Sequence, residues 1–421
     1  MRLRYAALLG LLLLVAGLAG TVTALNLRDE SPVTDEPPPA AGAAAPELLA
    51  RGEYLARAGN CIGCHSPRGG VPFAGGRGIE TPFGTVFSSN LTPDADTGLG
   101  AWNASHFWRA MHNGRSRDGR LLYPAFPYTH YTRVTRADSD AIFAFLRSLP
   151  PTRAPQRTHA LRFPYDSQAA LAVWRALYFT PEVHRDDPAR PADWNRGSYL
   201  VRGLGHCSAC HAARNALGAI RDDESLAGAA LPMQDWYAPS LNSPVEAGLA
   251  GWDAARVVQL LKTGQVPGAS VMGPMAEVVL RSTQHLSETD LQAMAAYLRA
   301  LPQTPPPKRG PIPRDADQMA RGKRLYEQRC AGCHGDDGRG VPGIYPPLAG
   351  NRAVTMDSAA NVVAAIASGG YPPATAGNPR PFGMPPFGHE INNEDLAAVT
   401  TYIRGSWGND AAPVTPFDLT R

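Results

Sequence analysis

The sequence predicts a mainly α-helical protein built from three tandem copies of one small module with long Gly- and Pro-rich loops. Three observations carry this. A Cys-x-x-Cys-His string occurs three times, an Arg-Gly block precedes each string, and an amphipathic stretch with an acidic residue in its first turn closes each copy. At 421 residues the chain is long enough for two or three domains. Its 40 Lys and Arg nearly balance 37 Asp and Glu, which argues against a nucleic-acid binder with its concentrated basic face. With 42 Gly and 40 Pro the chain is rich in loops, yet 44% hydrophobic residues still permit packed cores.

At the N-terminus, Arg2 and Arg4 precede an uncharged apolar run from Ala6 to Leu25. A basic start followed by an apolar stretch is an export signal, and this run is long enough to span a bilayer. Residues 1–25 therefore read as an N-terminal signal or membrane anchor. The best cleavage candidate, Val22-Thr23-Ala24, is a mediocre match to the small-x-small pattern, so an uncleaved anchor is the expectation. Residues 26–48 have no periodic apolar face and read as a flexible tether. The remainder of the chain then lies outside the cytoplasm.

Arg51-Gly52, Arg196-Gly197 and Arg321-Gly322 each open a helix leading to a Cys-x-x-Cys-His string. At the far end of each copy, Asp140–Leu149, Asp290–Leu301 and Asp395–Arg404 carry apolar residues at helical spacing. Each copy thus reads as helix, motif, long loop, middle helix, distal loop, terminal helix. The boundaries this implies are 49–155, 191–303 and 315–408. A connector occupies 156–190 and a stiff Pro-rich linker 304–314. The connector holds an apolar, aromatic stretch, 169–179, expected to be a helix that brackets the first two copies or docks a partner.

All six cysteines belong to the three strings: Cys61 and Cys64 with His65, Cys207 and Cys210 with His211, Cys330 and Cys333 with His334. None is left for a structural disulfide. Two cysteines three positions apart can bond both vinyl groups of one porphyrin, and the adjacent histidine then falls under the iron as proximal ligand. A zinc site would pair two such units around one tetrahedron. Here the strings lie 146 and 123 residues apart, each in its own copy. A thioredoxin-like motif would occur once, beside a βαβ pattern. The strings therefore predict three covalent haem c groups.

Each iron needs a sixth ligand, and in cytochrome c chemistry methionine serves, raising the potential. Aligning the copies on Gly114, Gly264 and Gly369, which end the middle helices, places Met275 and Met384 in the distal loops of the second and third. Met272 is a reserve in the second. The first copy has Phe126 in that loop, which cannot ligate iron. Met111, aligned with Leu261 and Ile366, is the first candidate there, with His130 and His112 as alternatives.

With these residues in view, the chain resembles the triheme cytochrome c subunits of membrane-bound bacterial alcohol and gluconate dehydrogenase complexes. The likeness covers residues 50–405 and rests on 81–85 (TPFGT), 89–93 (SNLTP), the 123–128 loop, 273–279 (GPMAEVV) and the three haem motifs in order. It implies three cytochrome c domains. It also implies electrons entering from a dehydrogenase catalytic subunit, which oxidises an alcohol, sugar acid or aldehyde, and leaving toward ubiquinone or a terminal oxidase. Members of that group often carry methionine in the first distal loop, where this chain has Phe126. Residues 408–421 are short and polar, so anchoring falls to the N-terminus. The chain itself is then not an enzyme. A peroxidase with one open iron, and a free-standing carrier serving an oxidase, are the competing readings.

Overall fold

The computed structural model describes residues 2–30, 32–34, 36–37, 44–222, 225–306, 310 and 312–419. Parts of the expected tether (38–43) and of the Pro-rich linker (307–309, 311) therefore lie outside the described residues. The fold is mainly helical. Its principal helices are α1 (Arg2–Leu27), α2 (Pro46–Ala58), α3 (Ala104–Asn113), α4 (Tyr128–Tyr131), α5 (Arg136–Ser148), α6 (Gln168–Tyr178) and α7 (Ala192–Tyr199). They continue as α8 (Ala254–Thr263), α9 (Gly273–Arg281), α10 (Glu288–Arg299), α11 (Ala316–Arg329), α12 (Ala360–Ser368) and α13 (Asn393–Gly405). A small antiparallel sheet, Gly78–Thr81 with Gly84–Phe87 and Ala160–Leu161, was not expected; its strands are too short to display a period of two.

The same helix crossing is built three times. The entry helix (α2, α7, α11) packs on the terminal helix (α5, α10, α13) at its glycine. A methyl group on Gly52, Gly197 or Gly322 would run into the carbonyl oxygen of Ala141, Ala293 or Ala398. Only glycine lets the two backbones approach this closely. The arginine just before each glycine then reaches a carboxylate one turn earlier on the terminal helix. Arg51 Nε donates to Asp138 at 3.0 Å, Arg196 donates through Nε and Nη2 to both oxygens of Asp290 at 2.8 Å, and Arg321 Nε donates to Asp395 at 2.7 Å.

Each of those aspartates has a second role. Its backbone N–H donates to the side chain of the helix N-cap, Thr135, Ser287 or Asn392, satisfying one of the orphan donors of the first turn. One short sequence, cap-x-x-Asp-x-x-Ala, thus starts the terminal helix, places the acceptor for the arginine, and sets the small residue under the glycine. The middle helices end on Gly114, Gly264 and Gly369, with φ of 59°, 76° and 61°; this left-handed region stops a helix at glycine. In the third copy, Tyr326, Val354, Val362, Ile366, Leu396, Val399 and Ile403 form one apolar cluster between entry, middle and terminal helices.

The chain packs into two compact units. One comprises 1–56, 64–185 and 216–219; the other comprises 57–63, 186–215 and 220–421. The second and third copies share a unit because they are hydrogen-bonded to each other. Tyr237 N–H donates to Asn361 Oδ1 and Asn361 Nδ2 donates to the Tyr237 carbonyl, both at 2.8 Å. Arg352 adds a bond to the Gly248 carbonyl at 2.7 Å.

Within the first unit, the stretch expected to be a tether is bonded to the first copy as far as Glu36. Asn103 Nδ2 donates to the carbonyls of Thr34 and Glu36, and Glu30 pairs with Arg115 at 3.0 Å. The absence of an apolar period gave no hint of this, because the contacts are polar.

Gly197→Ala is expected to destabilise its unit by about 1–3 kcal/mol, the usual cost of forcing atoms into a packed site. Urea unfolding followed by far-ultraviolet circular dichroism measures it. An unchanged midpoint would mean that the close crossing does not matter.

Candidate haem-attachment sites

Each motif lies on a helical turn: Cys61–His65, Ser208–His211 and Ala331–His334. Residues three apart on a helix share a face, so the two thiols of each motif project side by side with the histidine next to them. None of the six cysteines is in a disulfide. Cys64, Cys210 and Cys333 are exposed, and Cys61, Cys207 and Cys330 are half-buried. Burial pushes the Cys207 thiol up to about 12 and the Cys330 thiol up to about 11, so neither is a ready thiolate. Among the described residues, no three His, Cys, Asp or Glu side chains gather as a bare-metal site.

The histidines are held in one way. His65 Nδ1 hydrogen-bonds the Ser89 carbonyl at 2.7 Å, His211 Nδ1 the Pro239 carbonyl at 2.7 Å, and His334 Nδ1 the Pro346 carbonyl at 3.0 Å. A carbonyl only accepts, so Nδ1 carries the proton and Nε2 keeps its lone pair for a metal. Desolvation also lowers all three pKa values, which favours the neutral ring. The carbonyl of each histidine in turn accepts from the N–H of a glycine, Gly75, Gly228 or Gly340, at 2.8 Å. These two bonds fix ring and backbone together. Beside the second motif, a cavity lined by Cys210, Arg214, Ala229, Ala230 and Pro232 leaves room at the exposed thiol. Cysteines outside any disulfide beside a neutral histidine suit a covalently held haem, and at the second motif there is open space as well.

The distal candidates are less alike. Met384 lies in its expected loop: it exchanges two backbone hydrogen bonds with Gly370, at 2.8 and 2.9 Å, and its side chain packs on the third-copy core. Met275 does not lie in a loop, as its Pro/Gly surroundings suggested. It sits in the first turn of α9, where Met272 is the N-cap and Pro274 pre-sets the helical φ. Met272 has its methyl against Gly370 of the third copy: a Cβ added there would stand 3.6 Å from Met272 Cε.

In the first copy Phe126 packs on Tyr131, ring centroids 5.4 Å apart. Met111 and His130 are both buried. His112 is buried too, stacked on Trp108 at 4.5 Å with its Nδ1 bonded to the Thr132 carbonyl at 2.8 Å. The residue in the same register of the second copy, Lys262, donates to the Leu286 carbonyl at 2.8 Å. Both side chains tie the end of the middle helix to the segment ahead of the terminal helix. His112 therefore has a structural task that the sequence alone did not reveal; its alignment with Lys262 was the available signal.

His112→Lys is accordingly expected to leave the haem absorption spectrum unchanged, while His112→Ala lowers stability by about 1 kcal/mol through the lost hydrogen bond. Absorption spectroscopy and thermal unfolding read the two effects. A spectral change in His112→Lys would instead make His112 a ligand.

A cytochrome c family model matches residues 49–150 and 319–407. The alcohol dehydrogenase (quinone) cytochrome c subunit of Gluconacetobacter polyoxogenes is 36% identical over 392 residues, covering 89% of this chain and 84% of that one. The gluconate 2-dehydrogenase cytochrome c subunit of Pantoea cypripedii is 36% identical over 88% of each chain. The fructose dehydrogenase cytochrome subunit of Gluconobacter japonicus is 33% identical over 430 residues, covering 94% of this chain and 85% of that one. The chain belongs to the cytochrome c family, among the cytochrome c subunits of alcohol, gluconate and fructose dehydrogenases.

Proposed function

We propose that the chain carries three haem c groups in three tandem cytochrome c domains. It relays electrons from a dehydrogenase catalytic subunit to ubiquinone or a terminal oxidase, on the periplasmic side of the inner membrane. The observation that carries this is the threefold repetition of one histidine geometry, each with Nδ1 on a carbonyl and two cysteines, outside any disulfide, in the adjoining motif. Cys61, Cys64, Cys207, Cys210, Cys330 and Cys333 would hold the porphyrins, and His65, His211 and His334 would be the proximal ligands. Haem bound there supplies one-electron chemistry. The protein's own part is to fix the histidine rings, shield the iron from water and set its potential through the distal ligand. Catalysis belongs to the partner subunit, as the names of the relatives suggest.

Met384 and Met275 are the distal ligands of the third and second haems. The position of Met272 against Gly370 supports Met275 over it. For the first haem the contest is between Met111 and His130. Met111 stands in register with Leu261 and Ile366, and Ile366 belongs to an apolar cluster, which supports packing as the older role of that position. His130 comes directly after the loop where the third copy places its methionine.

The relay is tested by deleting this chain in its host and supplying a panel of alcohols, sugar acids and aldehydes. Substrate-driven oxygen uptake should disappear for one of them while dye-linked dehydrogenase activity in the membranes persists. Oxygen uptake unchanged on every substrate would refute the role. The first distal ligand is read by near-infrared magnetic circular dichroism of Met111→Ala and His130→Ala. The variant that removes the ligand turns one haem in three high-spin, and the other leaves all three as they were.

A further inference from the structure

The apolar helix at the N-terminus does not simply trail off the protein. α1 has no buried residue along its 26 residues, and Leu8, Leu9, Leu11 to Leu14 and Leu18 are exposed. At ~1.5 Å per residue it is longer than the ~30 Å hydrocarbon core of a bilayer. Its last turn, however, is bolted to α6. Asn26 Nδ2 donates to the Ala172 carbonyl at 2.9 Å, and Asn26 Oδ1 accepts from Arg175 Nε at 2.9 Å. The Asn26 carbonyl accepts from Arg115 Nη2 at 3.1 Å, and Arg28 donates to Thr180 Oγ1 at 3.1 Å. Arg175 is 3% exposed, so this is a buried polar joint and not a surface contact.

The joint fixes a height. The apolar run ends at Leu25, and Asn26 is the next residue. The α6 backbone at Ala172 therefore stands one hydrogen bond from the edge of the hydrophobic span. The headgroup layer on each side of a bilayer is about 5–7 Å deep, and a helix is about 10 Å across. A helix fastened at that level lies within the layer.

The composition of α6 agrees with such a place. Its only charged residue, Arg175, is turned inward with Leu171. Outward it shows Val173 at 47% exposure and Leu177 at 64%, four residues apart on one face, with Tyr178 also exposed. Leu217 is exposed beside it, and Trp174 Nε1 donates to the Leu217 carbonyl at 2.8 Å. A helix facing water normally carries charge outward. An uncharged aliphatic face edged by Trp and Tyr is the pattern of the membrane–water interface.

We propose that α1 is retained as a transmembrane anchor and that α6 lies in the lipid headgroup layer at its foot, Val173 and Leu177 facing the acyl chains. The two helices then hold the first cytochrome copy flat on the periplasmic leaflet, through the Asn26–Arg175 joint. This rests on reading α1 as the anchor and is independent of the electron-transfer reading.

The test uses full-length, haem-loaded protein in nanodiscs of phosphatidylcholine and phosphatidylglycerol. The discs are doped with a phosphatidylcholine that carries a diazirine near the glycerol end of its acyl chain. After irradiation, peptide mass spectrometry should find lipid adducts on Ala6–Leu25 and also on Gln168–Phe179. The double variant Val173→Glu, Leu177→Glu should lose the second set and keep the first, with its haem spectrum intact. Adducts confined to Ala6–Leu25 would overturn the placement of α6; they are the result expected if a protein partner covers that face. An intact mass beginning after Ala24 would overturn retention of the anchor. In either case the haem spectrum of the same sample reports separately on the redox centres.

Discussion

The crossing of entry and terminal helices at a glycine is the constraint on which the rest of each copy depends. Three backbones approach three others so closely that no side chain fits between, and an arginine–aspartate pair locks the rotation at each crossing. With that angle fixed, the entry helix delivers its motif to the same place in every copy. The loop beyond then brings a carbonyl to the histidine Nδ1. Two short helices bury little surface alone, so a covalently attached porphyrin is a natural third wall for the core. In the second copy the pair also adds directional precision, because the bidentate contact of Arg196 with Asp290 tolerates little rotation.

The helical framework and the three motifs were legible in the sequence because they depend on local signals. Cys-x-x-Cys-His is a fixed string, and the glycines that end the middle helices mark αL positions that other residues avoid. The Arg-Gly blocks and the acidic first turns were also visible, but as separate marks. Their pairing joins residues 74 to 94 positions apart, and no single-sequence period reports such a contact. The polar joint at Asn26 was hidden for the same reason. Gly273 and Pro274 ahead of Met275 read as a loop, yet Pro is also at home in the first turn of a helix, which is where Pro274 stands in α9.

The three copies hold the motif histidine alike and differ in the stretch beyond the middle helix. Met384 of the third lies in a loop tied to the end of the middle helix, Met275 of the second lies on a helix, and the first has Phe126, packed on Tyr131. Distal ligand identity is a principal control of haem potential, so on the proposed reading this is where the sites would be set to different potentials. The first copy is also the one joined to the apolar N-terminal helix, through Asn26, Arg115 and Glu30. The second and third copies instead share one compact unit, linked through Tyr237 and Asn361.

On the proposed reading each of the three copies would hold a haem, including the second, residues 191–303, which falls between the two segments matched by the family model. The most direct measurement is haem per chain in the purified full-length protein, by alkaline pyridine haemochrome against protein concentration, with peptide mass spectrometry at each motif. The account predicts three equivalents and thioether-bound haem on Cys207 and Cys210. Two equivalents, with those two cysteines unmodified, would contradict it.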